Sequence, residues 1–139
     1  HASAHAQYAG GLKSREQVWR DFASDMGQWH LLGFGPLSIV IGETGKCIGI
    51  VGLNAPPEYP ERELGWVLWQ GFEGKGYAFE ASSALRDWAF GQFGWDTLVS
   101  YIDPANAPSI RLAERLGAVR DPDAATPNGE ACLVYRHIP

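Results

Sequence analysis

The 139 residues are 45% apolar, 12% aromatic and 19% charged, which is the make-up of an ordinary folded chain, and one domain over 1–139 is expected. At this size folding buries roughly two-thirds of the extended chain's surface, so a core can form without disulfides or metal. Eleven Lys and Arg against sixteen Asp and Glu give a net charge of −5 with no basic run, which argues against a nucleic-acid partner. Every apolar stretch is broken by Gly, Pro or a charge before it reaches the roughly 20 residues of a membrane span, so no membrane partner is expected.

The chain opens on His1 rather than Met and lacks the charged and apolar regions of a signal peptide, so it reads as a processed, truncated or tag-derived start. His1 to Leu12 is small and polar and reads as irregular. Ser14 and Gln17 then make a capping box, and Val18, Trp19, Phe22, Ala23 and Met26 recur at helical spacing until Gly27, predicting a helix over 14–26. Two β-type runs follow, 36–42 and 46–53, with Glu43-Thr44-Gly45 between them as a hairpin connection. Pro56, Pro57 and Pro60 exclude regular structure until Arg62, after which 62–69 reads as a strand.

A Gly-rich turn leads from that strand into a long helix whose one face carries Ala78, Ala81, Leu85, Trp88, Ala89 and Phe93. The run 96–102 is strand-like, Asp103-Pro104 breaks it, a short helix spans 107–116 with Gly117 at C′, and 130–138 closes the chain as a strand. Strand, helix, strand in this order predicts a parallel pair joined by a crossover helix, within a mixed α/β layer. Cys47 and Cys132 sit in apolar, strand-like runs without a CxxC pair, so both are expected to be reduced small hydrophobes in a cytoplasmic chain.

The segment Gly71-Phe72-Glu73-Gly74-Lys75-Gly76-Tyr77-Ala78 carries the strongest chemical signal. Backbone N–H groups at a helix start, approachable where Cβ atoms are missing, form a cradle for phosphate or pyrophosphate. A Walker A loop aligned on Gly74-Lys75 needs Gly at 69 and Ser or Thr at 76, where Trp69 and Gly76 stand; a dinucleotide fingerprint from Gly74 needs Gly at 79, where Phe79 stands. A loop that only turns the chain is the plain alternative. Asn106 is a good N-cap for the short helix and needs no other role.

Taken together, Glu63-Leu64-Gly65-Trp66, Gly74-Lys75-Gly76-Tyr77-Ala78 with Glu80-Ala81, and Asn106, Ser109 and Arg115-Leu116-Gly117 resemble the GNAT superfamily of N-acetyltransferases. The resemblance is closest to the branch of the ribosomal-protein N-terminal acetyltransferases, and runs from about Tyr8 to Ile138. It implies a central mixed sheet with splayed parallel strands flanked by helices. The family's usual N-terminal strand and first helix have no counterpart before Ser14, and Glu73 stands where the family's loop has Gln or Arg.

The resemblance also implies acetyl-CoA as cosubstrate. The backbone of Trp66, Val67 and Leu68 would hold the acyl and pantetheine amides, with an N–H near Val67 polarising the thioester carbonyl. The amides of Gly74, Lys75, Gly76, Tyr77 and Ala78 would hold the pyrophosphate, and Asn106 a pantetheine carbonyl. Acetyl transfer to a primary amine by direct attack on the thioester follows: a protein N-terminus, an aminoglycoside, a polyamine or another small amine. Glu63 is the candidate base, against the plain alternative of a solvated carboxylate paired with Arg62. Many relatives protonate the thiolate with a Tyr where this chain has Ala113, which leaves Ser109 as the candidate.

Two other readings stand beside the enzyme: a non-catalytic acetyl-CoA-binding module, and an α/β domain without a ligand. Pairing with a second copy, a homodimer, is one way to complete the acceptor side. His1 and His5 have an i, i+4 spacing, but lie in the irregular terminus, and no metal is expected. His30 and His137 read as structural, and the six tryptophans as mostly core, with Trp29 and Trp69 candidates for an acceptor pocket. No Ser-His-Asp or Cys-His arrangement suggests a nucleophile.

Overall fold

A computed structural model describes residues 12–139, so His1 and His5 lie outside the described residues. Helix α1 spans Arg15–Leu32 and opens on the expected capping box: the Ser14 hydroxyl accepts from the Gln17 amide at 3.2 Å while the Ser14 amide donates to Gln17 Oε1 at 2.8 Å. It does not stop at Gly27. Gln28, one residue on, donates to the carbonyls of Leu53 at 2.7 Å and Phe34 at 3.1 Å and accepts from the Ala55 amide, and these tertiary bonds hold the last turns in helical form. The stop is Gly33, at φ 78°, whose N–H returns to the Trp29 carbonyl.

Strands β1 (Pro36–Ile41) and β2 (Lys46–Asn54) form the expected hairpin, turned by amide bonds from Thr44 and Gly45 to the Ile41 carbonyl. Strand β3 (Glu63–Leu68) pairs antiparallel with β2. Gly49 is needed there, because a Cβ would collide with the Val67 carbonyl oxygen. Helix α2 (Tyr77–Phe93) then crosses over to β4 (Leu98–Ile102), which lies parallel to β3. Helix α3 (Ala107–Arg115) follows, with Gly117 at φ 83°. The two-residue β5 (Val119–Arg120) and a 3₁₀ turn over Pro127–Gly129, neither legible as elements, precede β6 (Leu133–His137).

The six strands are ordered β1-β2-β3-β4-β6-β5, a mixed sheet flanked by helices as expected. Leu85 and Ala89 of α2 press on Ile48, Leu53, Leu64 and Leu98 to form the main core, and Ala113 of α3 joins Ile102, Ala118 and Tyr135 in a smaller one. Two expectations fail on burial. Cys47 is exposed on β2 rather than a core hydrophobe, and Trp19, Trp69 and Trp88 are exposed by 68%, 40% and 42%. No side chain of α1 is buried, so its apolar stripe does not reach the core that its periodicity suggests.

Candidate active site

The parallel pair is short. Glu63 and Val99 are its one aligned pair, bonded through the Val99 amide and the Arg62 carbonyl at 3.0 Å, and beyond it β3 and β4 separate. A cleft of about 840 Å³ opens there, walled by Glu63, Trp66, Val67, Asn106 and Ser109 among others. Five of the residues singled out in the sequence are thus brought together. Leu68 and the loop residues Gly74, Lys75, Gly76 and Ala78 are not part of that wall, and Tyr77 lines a separate groove of about 800 Å³ between α2 and β1. Trp29 lines that second groove, with its indole N–H on the Pro36 carbonyl at 2.8 Å, and Trp69 lines neither, so neither serves the cleft around Glu63.

Glu63 is 9% exposed, which removes the solvated alternative, and Arg62 turns its guanidinium onto the Trp95 ring instead, 4.3 Å from the centroid. Asn54 Nδ2 donates to Glu63 Oε1 at 3.0 Å, and the Tyr101 backbone amide donates toward the same carboxyl. Burial outweighs both donors and raises the Glu63 pKa above the usual carboxylate value, the direction that suits a base working near neutrality. Gly65 makes room for this group: a Cβ would lie 3.0 Å from Glu63 Oε1 and 3.3 Å from Asn54 Nδ2. Tyr59 packs edge-on against Tyr101 with centroids 5.2 Å apart, and burial together with the charge of Glu63 raises its phenol pKa.

Trp66 reaches toward α3, where its indole N–H donates to Ser109 Oγ at 3.2 Å, leaving the Ser109 proton free for another acceptor. Asn106 caps α3 through Oδ1, which accepts from the Ser109 amide at 3.3 Å. Its Nδ2 has no protein acceptor among the described residues, and a donor is what a pantetheine carbonyl requires. Ala113 is fully buried in the smaller core, so that position presents no proton donor.

Ladder phase corrects one detail of the β3 reading. The Trp69 amide donates to Ile48 of β2 at 2.7 Å, and alternation along a strand then directs the backbone groups of Val67 and Gly65 toward β2 as well. The groups that face the gap belong to Leu64, Trp66 and Leu68. Val67 lends its side of the wall but not a free amide.

The Gly-rich loop has the form an anion cradle needs. Gly71, Gly74 and Gly76 all take positive φ, at 93°, 75° and 83°, a conformation that glycine adopts without strain. The amides of Tyr77, Ala78 and Phe79 open α2 before its first bond, Glu80 N–H to the Gly76 carbonyl at 3.0 Å, so the helix itself supplies them no acceptor. A Cβ built on Gly74 or Gly76 meets open space, so a diphosphate has access to those amides. The Glu73 carboxylate folds back onto the Gly71 amide at 2.9 Å.

Asn54, Tyr59 and Tyr101 escaped the sequence reading, because register and sheet order bring them to Glu63 rather than any local motif. Cys132 also lines the cleft, where burial and the neighbouring Glu130 raise its thiol pKa and keep it protonated.

Comparison with known proteins agrees with this geometry. An acetyltransferase (GNAT) domain profile matches residues 1–119. The chain is 33% identical over 116 residues to the YkkB protein of Bacillus subtilis, covering 79% of this chain and 65% of that one. An acetyltransferase from Agrobacterium tumefaciens superposes with a TM-score of 0.90 at 47% identity, over 97% of this chain and 78% of its own. RimL, a ribosomal L7/L12 alpha-N-protein acetyltransferase in complex with coenzyme A, shares the fold with a TM-score of 0.71 at 19% identity, over 91% and 74% of the two chains. The chain spans 65% and 53% of the lengths of two curated relatives it matches. On the profile match and these likenesses, the chain belongs to the GNAT acetyltransferase family.

Proposed function

We propose that this chain transfers an acetyl group from acetyl-CoA to a primary amine, with Glu63 as the base and the diverging edge of β3 as the seat of the acyl arm. The observation that carries the reading is the buried carboxyl of Glu63, its pKa raised, at the point where β3 and β4 part, facing a cleft of about 840 Å³. Bound acetyl-CoA would supply a thioester whose C–S bond is exchanged for the amide C–N bond of the product. The amides of Gly74 to Ala78 would hold its diphosphate, and Asn106 Nδ2 with the free groups of Trp66 and Leu68 its amide arm. The Trp66 amide, in place of one near Val67, is the donor available to negative charge developing on the acyl oxygen.

Glu63 takes the proton that the attacking ammonium must lose, directly or through a water. Ser109 keeps its hydroxyl proton available to the departing sulfur. Asp21, Asp25, Glu58 and Glu130 also line the cleft, and its one Lys or Arg among the described residues, Lys13, is held by Asp21 at 2.6 Å. Such a wall favours an acceptor that arrives as a cation, whether a small amine or a protein N-terminus. Two free cysteines suit a reducing cytoplasm.

A second reading, an acetyl-CoA-binding module without turnover, is favoured by one feature: Ala113 provides no acid where relatives carry Tyr. The test is release of free thiol from acetyl-CoA with a panel of amines, alongside the thermal shift caused by CoA. Turnover with at least one amine supports the enzyme. A shift of melting temperature without turnover supports the module, and the absence of both overturns the cofactor assignment.

A further inference from the structure

The separation of β3 and β4 is built by side chains. In a parallel ladder the rung after Val99 N–H to Arg62 C=O would join the Tyr101 amide to the Leu64 carbonyl. That rung is not made, since the aligned pairing is confined to Glu63 and Val99. Each of its two halves faces a side chain instead: the Leu64 carbonyl accepts the Ser100 hydroxyl at 2.6 Å, and the Tyr101 N–H lies close enough to the Glu63 carboxyl to favour its charged form. Leu64 is 0% exposed, so without the Ser100 hydroxyl the parting strands would leave its carbonyl buried and unpaired.

Behind Ser100 stands His137, 1% exposed on β6, with Nε2 at 2.9 Å from Ser100 Oγ. The Ser100 proton is already given to Leu64, so its oxygen must accept, and His137 must carry its proton on Nε2. The other ring nitrogen, Nδ1, has no partner among the described residues, which a bare lone pair tolerates better than an N–H would. Burial, aided by the positive charge of Arg86, lowers the His137 pKa to about 4. The ring is therefore a neutral, fixed donor at neutral pH.

The geometry points to Ser100 and His137 as a positioning pair that holds β3 and β4 apart, so that the Trp66 and Leu68 backbone faces the acyl arm and the Tyr101 amide stays on Glu63. Neither residue touches the reacting atoms. If the Ser100 hydroxyl is removed, the Leu64 carbonyl regains its pull on the Tyr101 amide; the gap narrows, and Glu63 loses a donor that stabilises its charge. Two effects should therefore appear together. Affinity for CoA falls, and the Glu63 pKa rises further. This inference rests on the acetyltransferase reading for its consequence, but not for its geometry.

The test compares the full chain with Ser100→Ala, His137→Leu, and the donor-retaining Ser100→Thr and His137→Gln. Ser100→Ala is expected to weaken CoA binding about tenfold by calorimetry, the scale of one lost buried hydrogen bond. It should raise the KM for acetyl-CoA similarly and move the acid limb of the kcat/KM profile for the amine to higher pH, while Ser100→Thr and His137→Gln restore much of each. ¹⁵N NMR of the unaltered protein should find His137 with its proton on Nε2 between pH 5 and 8, a readout that survives if a variant does not fold. The proposal is overturned if NMR finds the proton on Nδ1, or if folded Ser100→Ala keeps both the CoA affinity and the acid limb. Should no amine be acetylated by the unaltered protein, the enzyme reading falls, while the CoA affinities and the His137 tautomer still decide this one.

Discussion

Replacing Glu63 with Gln removes the proposed base while keeping the shape of a side chain that is 9% exposed and held by Asn54. An alkylammonium with a pKa of about 10.4 is neutral in about one molecule in 2500 at pH 7, so an enzyme without a base is confined to that fraction. Loss of the base is expected to lower kcat/KM for the amine by about 10²–10³ at pH 7, within the usual range for positioned general bases. CoA affinity should be unchanged, because the carboxyl sits at the root of the gap and the diphosphate cradle lies on the α2 loop. The pH dependence supplies a second signature. The unaltered enzyme should show an acid limb set by the raised Glu63 pKa, and Glu63→Gln should lack it.

Stability should move the opposite way. A carboxyl whose folded pKa is raised contributes nothing unfavourable below its unfolded value of 4.5, and becomes a burden as pH rises through the folded value. Glu63→Gln is therefore expected to melt at or above the unaltered protein at pH 7, with the difference closing toward pH 4. Thiol release at saturating acetyl-CoA, measured from pH 5 to 9, together with melting curves over pH 4 to 8, checks both. A full rate in Glu63→Gln at pH 7, or an acid limb that persists in it, would refute the assignment.

Gly76→Val places a branched side chain at φ 83°, where open space removes any clash but the backbone is strained by about 1–2 kcal/mol; the thermal shift given by CoA, about 2.7 kcal/mol at 100 times its Kd, should largely disappear. Ser109→Ala leaves the Trp66 indole N–H without its acceptor, and is expected to lower kcat about tenfold or less with little change in KM for acetyl-CoA; a loss of 10³ in kcat would instead make Ser109 an essential acid. Arg136 bonds Glu61 at 2.7 Å and Asp121 at 2.7 Å, and holds the Asp121 pKa below its usual value, so it stabilises the fold above pH 3.8 and less as pH falls through the lowered value. Arg136→Gln should accordingly flatten the acid side of the stability curve, measured as melting temperature between pH 2 and 6.

What could be read in advance was what the chain encodes locally. The capping box of Ser14 and Gln17, the Asn106 cap and the run of glycines before Tyr77 each act within a few residues, and the structure has them where the spacing puts them. The end of α1 is not legible locally, because Gly27 is a weak stop overruled by bonds from Gln28 to Leu53 and Ala55, some 25 residues away. The exposure of Trp19 and Trp88 is not legible either, because a helical stripe reveals which side chains share a face but not whether anything covers it.

The same division runs through the site. Glu63 was legible as a residue type at a strand start, whereas its character was not. That character comes from Asn54 on the neighbouring antiparallel strand, from Tyr101 across the parallel one, and from the missing side chain of Gly65. Ser100 and His137 carry no motif, since Ser100 is a lone small hydroxyl between apolar and aromatic neighbours, His137 ends a strand beside Arg136, and neither has a local partner. They acquire meaning only when sheet order sets β6 beside β4, and when the lost rung between Tyr101 and Leu64 requires two substitutes. The opening that a cosubstrate would enter is therefore a property of register. A one-residue slip of β4 against β3 would return Ser100 to an ordinary strand position and leave Glu63 with one donor fewer.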